Sequence, residues 1–263
     1  MGRFPSVQEG NKTHSKVLPI GRASATQGDY DFVLSGYRWY RVVVFSVIRG
    51  VKMVELTGDI PFLWRLSPES SEGLCAVSMV VPYETDDDRR DLTIETSVVS
   101  FASDSSRAET EEMLEWNQDD ISLFLKLVAH EQNEHRLAML DSVRIDLTDP
   151  AIIDIIHVVA AAGFGMAYSS QGVLKPSSGV YPAHPCDIGS FASLNTHDGF
   201  KRCVVVDIDN EEVVCVLLDE IDVESEGEYE RLSRHDLLLV KRADLLHPDF
   251  AITTGRPASA TVH

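Results

Sequence analysis

The sequence has little of what membrane proteins, secreted proteins and enzymes carry. Its 263 residues contain no apolar run near the roughly 20 residues that a membrane span needs, and no apolar signal segment follows the N-terminus. The four cysteines form no CxxC pair and no disulfide-dense spacing, which predicts a reducing compartment, cytoplasm or nucleus. No Gly-rich phosphate loop, G-x-S-x-G elbow or nucleophile–base pattern is visible. The sequence therefore predicts no catalytic residue and no cofactor.

Basic residues are scarce as well. The chain has 23 Lys and Arg against 42 Asp and Glu, for a formal net charge of −19. Such a surface repels phosphate backbones, so direct nucleic-acid binding is disfavoured. The charge suits a basic protein partner, and it can equally serve solubility alone.

The histidines give no pattern that is typical of a metal site. His130 and His135 in HEQNEH are five residues apart, whereas the zinc-protease motif H-E-x-x-H places its histidines four apart on a helix. His157 lies on an apolar segment and is interpreted as a satisfied core histidine. No metal is predicted, because the remaining candidates follow no ligand spacing: His184, Cys186 and His197.

What the sequence does have is many short apolar runs. Gly36–Leu66 holds three of them, separated by Arg-Gly and Gly-Asp turn signals, which predicts a small, bent antiparallel barrel. An acidic insert, Asp222–Glu230, interrupts a second group of strands. The turns of that group are predicted at Thr196–Gly199 and Asp209–Asn210. The other predicted strands are Leu74–Val81, Leu92–Phe101, Ile188–Leu194, Phe200–Ile208, Glu212–Asp219 and Leu237–Lys241.

Two segments are predicted to be helical. Ser105–Gln118 has serines that can cap and acids in its first turns. The second helix starts at Pro150, with Asp149 as N-cap and Gly163 placed to end it. Two apolar runs between these helices fit a hairpin, although the first could also be helical: Ile121–His130 and Arg136–Ile145.

The predicted organisation is a tandem. We expect a disordered leader at 1–15, a first unit at 16–168, a Ser/Gly/Pro-rich linker at 169–182, a second unit at 183–252 and a disordered tail at 253–263. The first unit divides into a barrel at 16–70 and a second half at 74–168.

The residues of the first barrel resemble a known family. Trp39-Tyr40-Arg41-Val42, followed by valines, resembles the W-Y-R-A-x-V strand of Tudor domains. Thr57-Gly58-Asp59 stands where that family has Tyr-Gly-Asn, and Leu63–Pro68 is similar to its last strand and Leu-Pro exit. Cys75-Ala76-Val77 and Ala138–Asp141 resemble strands of the extended Tudor form, in which a nuclease-like OB half is fused to the barrel.

The second unit resembles a Tudor barrel more weakly. Asp187–Ala192 looks like the entry strand, Asp198–Cys203 like D-G-x-W-Y-R-A, and Val213–Asp219 like the strand that reaches Asp-Tyr-Gly-Asn. A full extended Tudor has OB-fold strands before its barrel as well as after it, but little except residues 16–30 precedes the first barrel and nothing OB-like follows the second. Either the first OB half borrows a strand, for which Leu92–Phe101 is a candidate, or the second barrel stands alone. The resemblance implies a mainly β fold with some α: tandem Tudor-like barrels, the first fused to an OB-like half with flanking helices.

The cage that binds methylated arginine in this family is eroded in both barrels. The family holds the diffuse cation between aromatic faces. The resemblance places one aromatic, Tyr40, among the cage positions of the first barrel and none among those of the second, so methylarginine binding is not expected. The degenerate positions are Leu34, Val54 (or Glu55) and Thr57 in the first barrel, and Leu194, Lys201, Leu217 and Glu220 in the second.

Three further aromatics are candidates for a docking surface. Tyr37, Phe62 and Trp64 fall near strand ends of the first barrel and form either barrel core or an apolar patch that docks a partner segment. Nuclease relatives of the OB half use clustered acids, but exposed strand-end acids explain these residues equally well: Asp141, Asp146 and Asp149.

The resemblance implies a non-catalytic adaptor that joins protein partners, such as a basic or amphipathic segment. Its setting would be a small-RNA silencing or germline RNA-granule complex in the cytoplasm, or a cofactor role with a helicase or RNA-dependent RNA polymerase. Two alternatives are open: a methylarginine reader with a non-standard cage, and an RNA-binding OB-type module.

Overall fold

A computed structural model of the chain describes residues 18–19, 40–44, 53–58, 62–68, 70, 73–82, 91–101, 110–132, 143–175, 184, 186–225 and 228–254. The fold is mainly β with some helix, as predicted. The helices are α1 Gln118–Glu131, α2 Pro150–Phe164 and α3 Asp249–Thr254, and a 3-10 helix spans Arg242–Asp244. The strands are β1 Leu18–Pro19, β2 Tyr40–Val44, β3 Met53–Gly58, β4 Leu63–Leu66, β5 Leu74–Val81, β6 Leu92–Phe101, β7 Glu112–Glu115, β8 Val143–Asp146, β9 Met166–Ser169, β10 Phe191–Thr196, β11 Gly199–Asp209, β12 Glu212–Leu217, β13 Ile221–Ser225, β14 Glu228–Leu232, β15 Leu237–Lys241 and β16 Leu245–Leu246.

The described strands form four sheets. The largest has the order β1-β9-β15-β12-β11-β10-β16, and a four-stranded sheet has the order β6-β5-β4-β7. A three-stranded sheet has the order β2-β3-β8, and β13 pairs with β14 alone. Among the helices that the structure describes, none is both long enough and apolar enough to cross a bilayer.

An antiparallel meander, β10-β11-β12-β15, forms the centre of the largest sheet. The two predicted turns are confirmed. Gly199 has φ +97° in the first turn and Asn210 has φ 52° in the second. Glycine and asparagine are the residues that adopt this left-handed conformation most readily, which is why the sequence signals the turns.

The long strand β11 serves two neighbours. Its first part pairs with β10, from Gly199 to Val204, and its last part pairs with β12, from Cys203 to Asp209. A register shift between Val205 and Asp207 marks a bulge, which bends a strand and increases its twist. After β15, the 3-10 helix returns the chain so that β16 pairs with the other edge of β10.

Both faces of this sheet are buried. Cys203 and Val205 on β11 belong to one hydrophobic cluster, which we call the inner cluster. The alternate residues Val204 and Val206 belong to a second cluster, on the opposite face of the sheet. Because neighbouring side chains of a strand point to opposite faces, a strand that is buried on both sides reads as a continuous apolar run. Burial on both faces therefore explains the apolar sequence of β12, in which Val213–Leu217 are all buried.

Helix α2 covers one face of the sheet. Its start is as predicted, since Asp149 accepts a hydrogen bond from the Ala151 N–H and Pro150 occupies the first turn. The helix extends one residue beyond the predicted end at Gly163, to Phe164, with Gly165 as C-cap. Seven of its side chains are buried in the cluster that also contains Val204 and Val216, so the helix joins this sheet to the rest of the molecule.

The segment before α1 differs from the prediction. Residues 105–109 lie outside the described residues, but Glu112–Glu115 form β7, which pairs with β4, instead of a helix. The helix begins only at Gln118, where Asn117 and Asp120 form a reciprocal capping box. Of the two interpretations of Ile121–His130, the helical one is correct. Residues 112–115 form a strand despite their helix-forming composition, because they make a ladder of hydrogen bonds with β4.

The strands of residues 16–70 do not share one sheet in the described part of the chain. β1 belongs to the largest sheet, β2 and β3 pair with each other and with β8, and β4 pairs with β5 and β7. This pairing differs from a barrel confined to 16–70. The apolar runs were located by local pattern, but the partner of a strand is a long-range property that the runs do not encode.

The start of the predicted linker is packed against the largest sheet. Val173 is buried, and the Lys175 N–H donates to the Asn195 carbonyl. β9, just before it, pairs in parallel with β15. Residues 169–175 therefore belong to the packed structure. Residues 176–182, the leader at 1–15 and residues 255–263 of the predicted tail lie outside the described residues.

Candidate functional site

Two of the aromatics proposed for a docking surface, Phe62 and Trp64, lie in the hydrophobic core. The side chains of Phe62 and Trp64 are fully buried, so neither can contact a partner, and the core interpretation is the one that holds. Tyr37 lies outside the described residues, and Tyr40 begins β2. The physical reason is the pairing of β4 between β5 and β7, which turns Phe62 and Trp64 towards α1 and α2.

These two residues belong to an aromatic cluster. The Trp64 ring stacks on Trp116 with centroids 4.9 Å apart, and Phe62 meets Trp116 edge-on at 5.0 Å. The indole N–H of Trp64 donates to Asp120, the partner of Asn117 in the capping box of α1, at 3.2 Å. The aromatic cluster therefore fixes α1 on the four-stranded sheet, and its remaining members are Phe124 and Phe164.

The cage positions of the first barrel are only partly described. Val54, Glu55 and Thr57 lie in β3, which is paired with β2 on one side and β8 on the other. Leu34 lies outside the described residues. The structure therefore brings the described positions into the middle of a three-stranded sheet.

The cage positions of the second barrel do not form a cage. Leu194 and Leu217 are fully buried in the inner hydrophobic cluster. Lys201 places its ammonium nitrogen 2.7 Å from a carboxylate oxygen of Asp198, and Glu220 forms an ion pair with Arg231. Two of the four positions are therefore core, and the other two are engaged in ion pairs within the chain.

Around these positions runs a rim of ion pairs, which we define as Asp198, Lys201, Arg202, Asp219, Glu220 and Arg231. In the pair Arg202–Asp219, Arg202 donates from Nε at 3.0 Å, from Nη2 at 2.6 Å and from its backbone N–H at 2.8 Å. Burial raises the pKa of Asp219, but the hydrogen bonds from Arg202 outweigh burial and hold that pKa below its ordinary value. The Lys201 hydrogen bond likewise lowers the pKa of Asp198. Such pairing keeps the carboxylates ionised and occupied.

The acidic insert is a β-hairpin beside the rim. β13 and β14 pair only with each other in the described part of the chain, in register from Ile221–Leu232 to Ser225–Glu228. Ile221, Val223 and Leu232 are buried in the inner cluster and anchor the hairpin at its base. The hairpin, Ile221–Leu232, has five acidic residues and one arginine, so it concentrates negative charge on an apolar base.

A second polar cluster, which the sequence did not reveal, lies where three elements meet. We call it the junction cluster and define it as Ser97 on β6, Asp154 and His157 on α2, and Arg234 and His235 in the turn before β15. His235 Nε2 lies 2.7 Å from Asp154 Oδ1, and Arg234 donates to the other carboxylate oxygen at 2.5 Å. The Nδ1 atoms of His157 and His235 lie 3.1 Å and 3.5 Å from the Ser97 hydroxyl oxygen.

Two backbone features position this cluster. Ser97 lies in a bulge of β6, where the pairing with β5 shifts between Ala76 and Ser78. His235 has φ 73°, a conformation that few residues other than glycine adopt, and its N–H donates to the Leu217 carbonyl at 2.8 Å. Bulges re-aim side chains, and strained residues persist only where their surroundings hold them.

Burial and charge shift the acidities of the junction cluster in a consistent way. Burial lowers the pKa of His157, and the neighbouring His235 and Arg234 lower it further against the opposing effect of Asp154. Burial alone would raise the pKa of Asp154, but hydrogen bonds from His235 and Arg234 hold it below its ordinary value. At neutral pH the cluster therefore contains a neutral His157 and an ionised Asp154.

The chemistry of the junction cluster resembles a serine–histidine–carboxylate relay only in composition. His235 Nδ1 lies as far as 3.5 Å from the Ser97 hydroxyl oxygen, and the Ser97 N–H donates towards His157 at 3.4 Å. In acyl-transfer enzymes such N–H groups instead face the developing oxyanion. The arrangement is that of a structural polar bridge.

The other histidines do not gather a metal site in the described part of the chain. His184 lies edge-on to His247 with ring centroids 5.0 Å apart, and Cys186 is buried in the inner cluster. Within the described ranges, no three or more His, Cys, Asp or Glu side chains are arranged to hold a metal ion.

Comparison with known proteins adds no family. No protein-family model matches the sequence, and no curated protein matches it significantly.

Proposed function

We propose that this protein is a non-catalytic adaptor that joins protein partners, and that residues 183–252 form a Tudor-like barrel without a working methylarginine cage. The support for the barrel is its connectivity. Strand β16 pairs with β10, the meander continues through β11, β12 and β15, and the 3-10 helix lies between β15 and β16. A bent five-stranded sheet with this return is the arrangement of small SH3-like barrels, to which Tudor domains belong.

The main support for the absence of a methylarginine cage is the rim of ion pairs. A methylated guanidinium needs stacked aromatic faces. Here Lys201 occupies a wall position with its ammonium group held by Asp198, and Leu194 and Leu217 are turned into the core. A cation at this place would meet a like charge and no aromatic wall.

The hairpin β13–β14 is the surface that suits a basic partner segment. Its sequence concentrates negative charge, and its strands pair only with each other among the described residues, so an extended basic segment can add to an edge and pair its charges. We extend the proposal to the cellular setting that the family resemblance implies: a small-RNA silencing or germline RNA-granule complex in the cytoplasm, including helicase or RNA-dependent RNA polymerase assemblies.

Titration calorimetry with a pair of Arg-Gly peptides tests the proposal. One peptide is unmodified and the other symmetrically dimethylated on arginine. We expect no preference for the methylated peptide and weak binding of both that falls with salt, because the attraction is between charges. Micromolar binding of the methylated peptide alone would establish the alternative of a methylarginine reader.

A charge-reversal variant locates the surface. Glu224, Glu228 and Glu230 are changed to Lys, and the matched control changes three exposed acids away from the hairpin by the same charge: Glu111, Glu115 and Glu131. The hairpin variant should lose the peptide binding that the control keeps. Equal loss in both variants would mean that only net charge matters. A salt-sensitive shift of single-stranded RNA by the wild-type chain would favour the RNA-binding alternative.

A further inference from the structure

The junction cluster joins parts of the chain that are far apart in sequence. Ser97 comes from the four-stranded sheet, His157 from helix α2, and His235 from the turn that leads into the largest sheet. The two imidazole rings lie 4.8 Å apart. Contact between the turn and α2 is therefore made in part through two imidazole side chains.

The hydrogen bonds of the cluster define which atoms carry protons. Because the Asp154 carboxylate only accepts, His235 Nε2 donates to it. His157 Nδ1 faces both the N–H and the hydroxyl of Ser97, so it accepts. The contact between Ser97 and His157 is therefore satisfied when His157 is neutral and its Nδ1 accepts from Ser97.

A proton on His157 Nδ1 breaks this pattern. The nitrogen would then point an N–H at the Ser97 N–H, so the hydrogen bond from the Ser97 backbone would be lost. The new charge would lie beside the ring of His235 and near Arg234. Asp154 on α2 is the nearby counter-charge, but both of its oxygens are already occupied by Arg234 and His235.

Other charges around the cluster do not relieve this repulsion. Strand β6 contributes the uncharged Ser97. In the turn, the Asp236 carboxyl interacts electrostatically with His235. Burial raises the pKa of Asp236, which also accepts a hydrogen bond from the Ser233 N–H at 2.7 Å. On β11, Arg202 interacts electrostatically with Asp154 and adds a further positive charge near that carboxylate.

We propose that His157 and His235 form a pH-sensitive latch that holds the turn before β15 against α2 and β6, and that the latch opens when His157 gains a proton. The closed state binds this proton less readily than the open state does. Its stability is therefore fully present above the ordinary histidine pKa of about 6.5, and it is lost as pH falls from there through the lower pKa of His157 in the closed state.

Hydrogen exchange on the full chain measures the latch. The readout is the amide protection of the segment 217–237, in which the His235 N–H donates to Leu217 and the Leu217 N–H donates to Asp236. Rates measured from pH 7.5 to 5.5 are corrected for intrinsic exchange. Below about pH 6.5, the opening constant of the wild type should rise by up to about tenfold per pH unit, the limit for one proton.

Two variants complete the test. His157→Gln keeps a hydrogen-bonding side chain that cannot gain a charge, and it should give an opening constant that does not change with pH. His197→Gln removes an exposed histidine from a turn and should behave like the wild type. The same rise in His157→Gln as in the wild type, or no rise in the wild type, would overturn the proposal.

Direct titration of His157 in the wild type gives a result that needs no variant. The imidazole carbon proton of His157, followed by NMR, should titrate below the ordinary histidine value. The opening constant of the turn should rise as pH falls from the ordinary histidine pKa to this midpoint, and it should level off below the midpoint. A midpoint at or above the ordinary value, or a change in protection outside this pH range, would also overturn the latch.

Discussion

Phe62→Ala separates a core role of this residue from a binding role. Phe62 is fully buried and packs edge-on against Trp116 at 5.0 Å and Phe124 at 5.9 Å. Truncating a buried phenylalanine costs about 3–5 kcal/mol, and aromatic pairs of this geometry add to simple burial. Because two rings lose their partner, we expect a loss in the upper half of that range, about 4–5 kcal/mol. That is a large fraction of the roughly 5–15 kcal/mol by which domains are stable.

Urea unfolding followed by tryptophan fluorescence measures this loss. With an m-value of about 3 kcal/mol/M, the midpoint should fall by about 1.5 M. Met113→Ala is the control, since this side chain lies on the same sheet and is 45% exposed, so its effect should stay within about 0.5 kcal/mol. A Phe62→Ala midpoint within about 0.3 M of the wild type, at unchanged m, would refute the assignment of Phe62 to the core.

Two further predictions concern a close approach and the acid limb of stability. Gly165→Ala should lower Tm, because the added Cβ would lie 2.3 Å from a Leu237 methyl carbon. The control Gly163→Ala places its Cβ no nearer than 3.5 Å to any atom outside its own helix, so it should be neutral or stabilising by up to about 1 kcal/mol. Equal Tm changes in the two variants would contradict this prediction. Asp154→Asn should flatten the loss of stability in acid. The folded pKa of Asp154 is lowered, so its stabilisation is present above about pH 3.9 and lost as pH falls through the folded value. Unfolding free energies from pH 5 to 2 check this, and an unchanged acid limb would count against the pairing.

Local signals predicted the local structure. Asp149 and Pro150 marked the start of α2, and Gly199 and Asn210 marked two turns, because capping and left-handed backbone depend on the residue itself. The apolar runs gave β5, β6 and β15 their observed bounds. Each of these features is decided within a few residues, so the sequence alone contains it.

Strand partners could not be predicted in the same way. β4 was expected to close a barrel with β2 and β3, but it pairs with β5 and β7, while β3 pairs with β8. The pairing energy of a strand is nearly the same with any partner of suitable length, and the choice depends on which faces the whole fold must bury. For the same reason, the helical pattern before α1 did not reveal β7.

The candidate sites likewise divide into those predictable from residue type and those that depend on the fold. Lys201 and Glu220 were recognised as unsuited to a cage from residue type alone, and the structure places both in ion pairs. The junction cluster was missed because its three parts, on β6, on α2 and in the turn before β15, are separated by 57 residues or more. The one signal in the sequence was the pair Asp154 and His157, spaced three apart on an otherwise apolar helix, whose partners only the fold supplies.

The packing of the largest sheet limits where a partner can bind to the proposed second barrel. Its inner face is filled by the cluster that contains Leu194 and Leu217, and α2 covers the opposite side of β11 and β12. Helix α3 lies over β10 and β11, fixed by the Ser193 hydroxyl, which donates to the Pro248 carbonyl at 2.9 Å. Parallel pairing of β9 occupies the edge at β15. Among the described elements of this region, the rim and the acidic hairpin are therefore the parts left for an adaptor to present. Because the rim pairs its own charges, the hairpin is the place where a basic segment gains most.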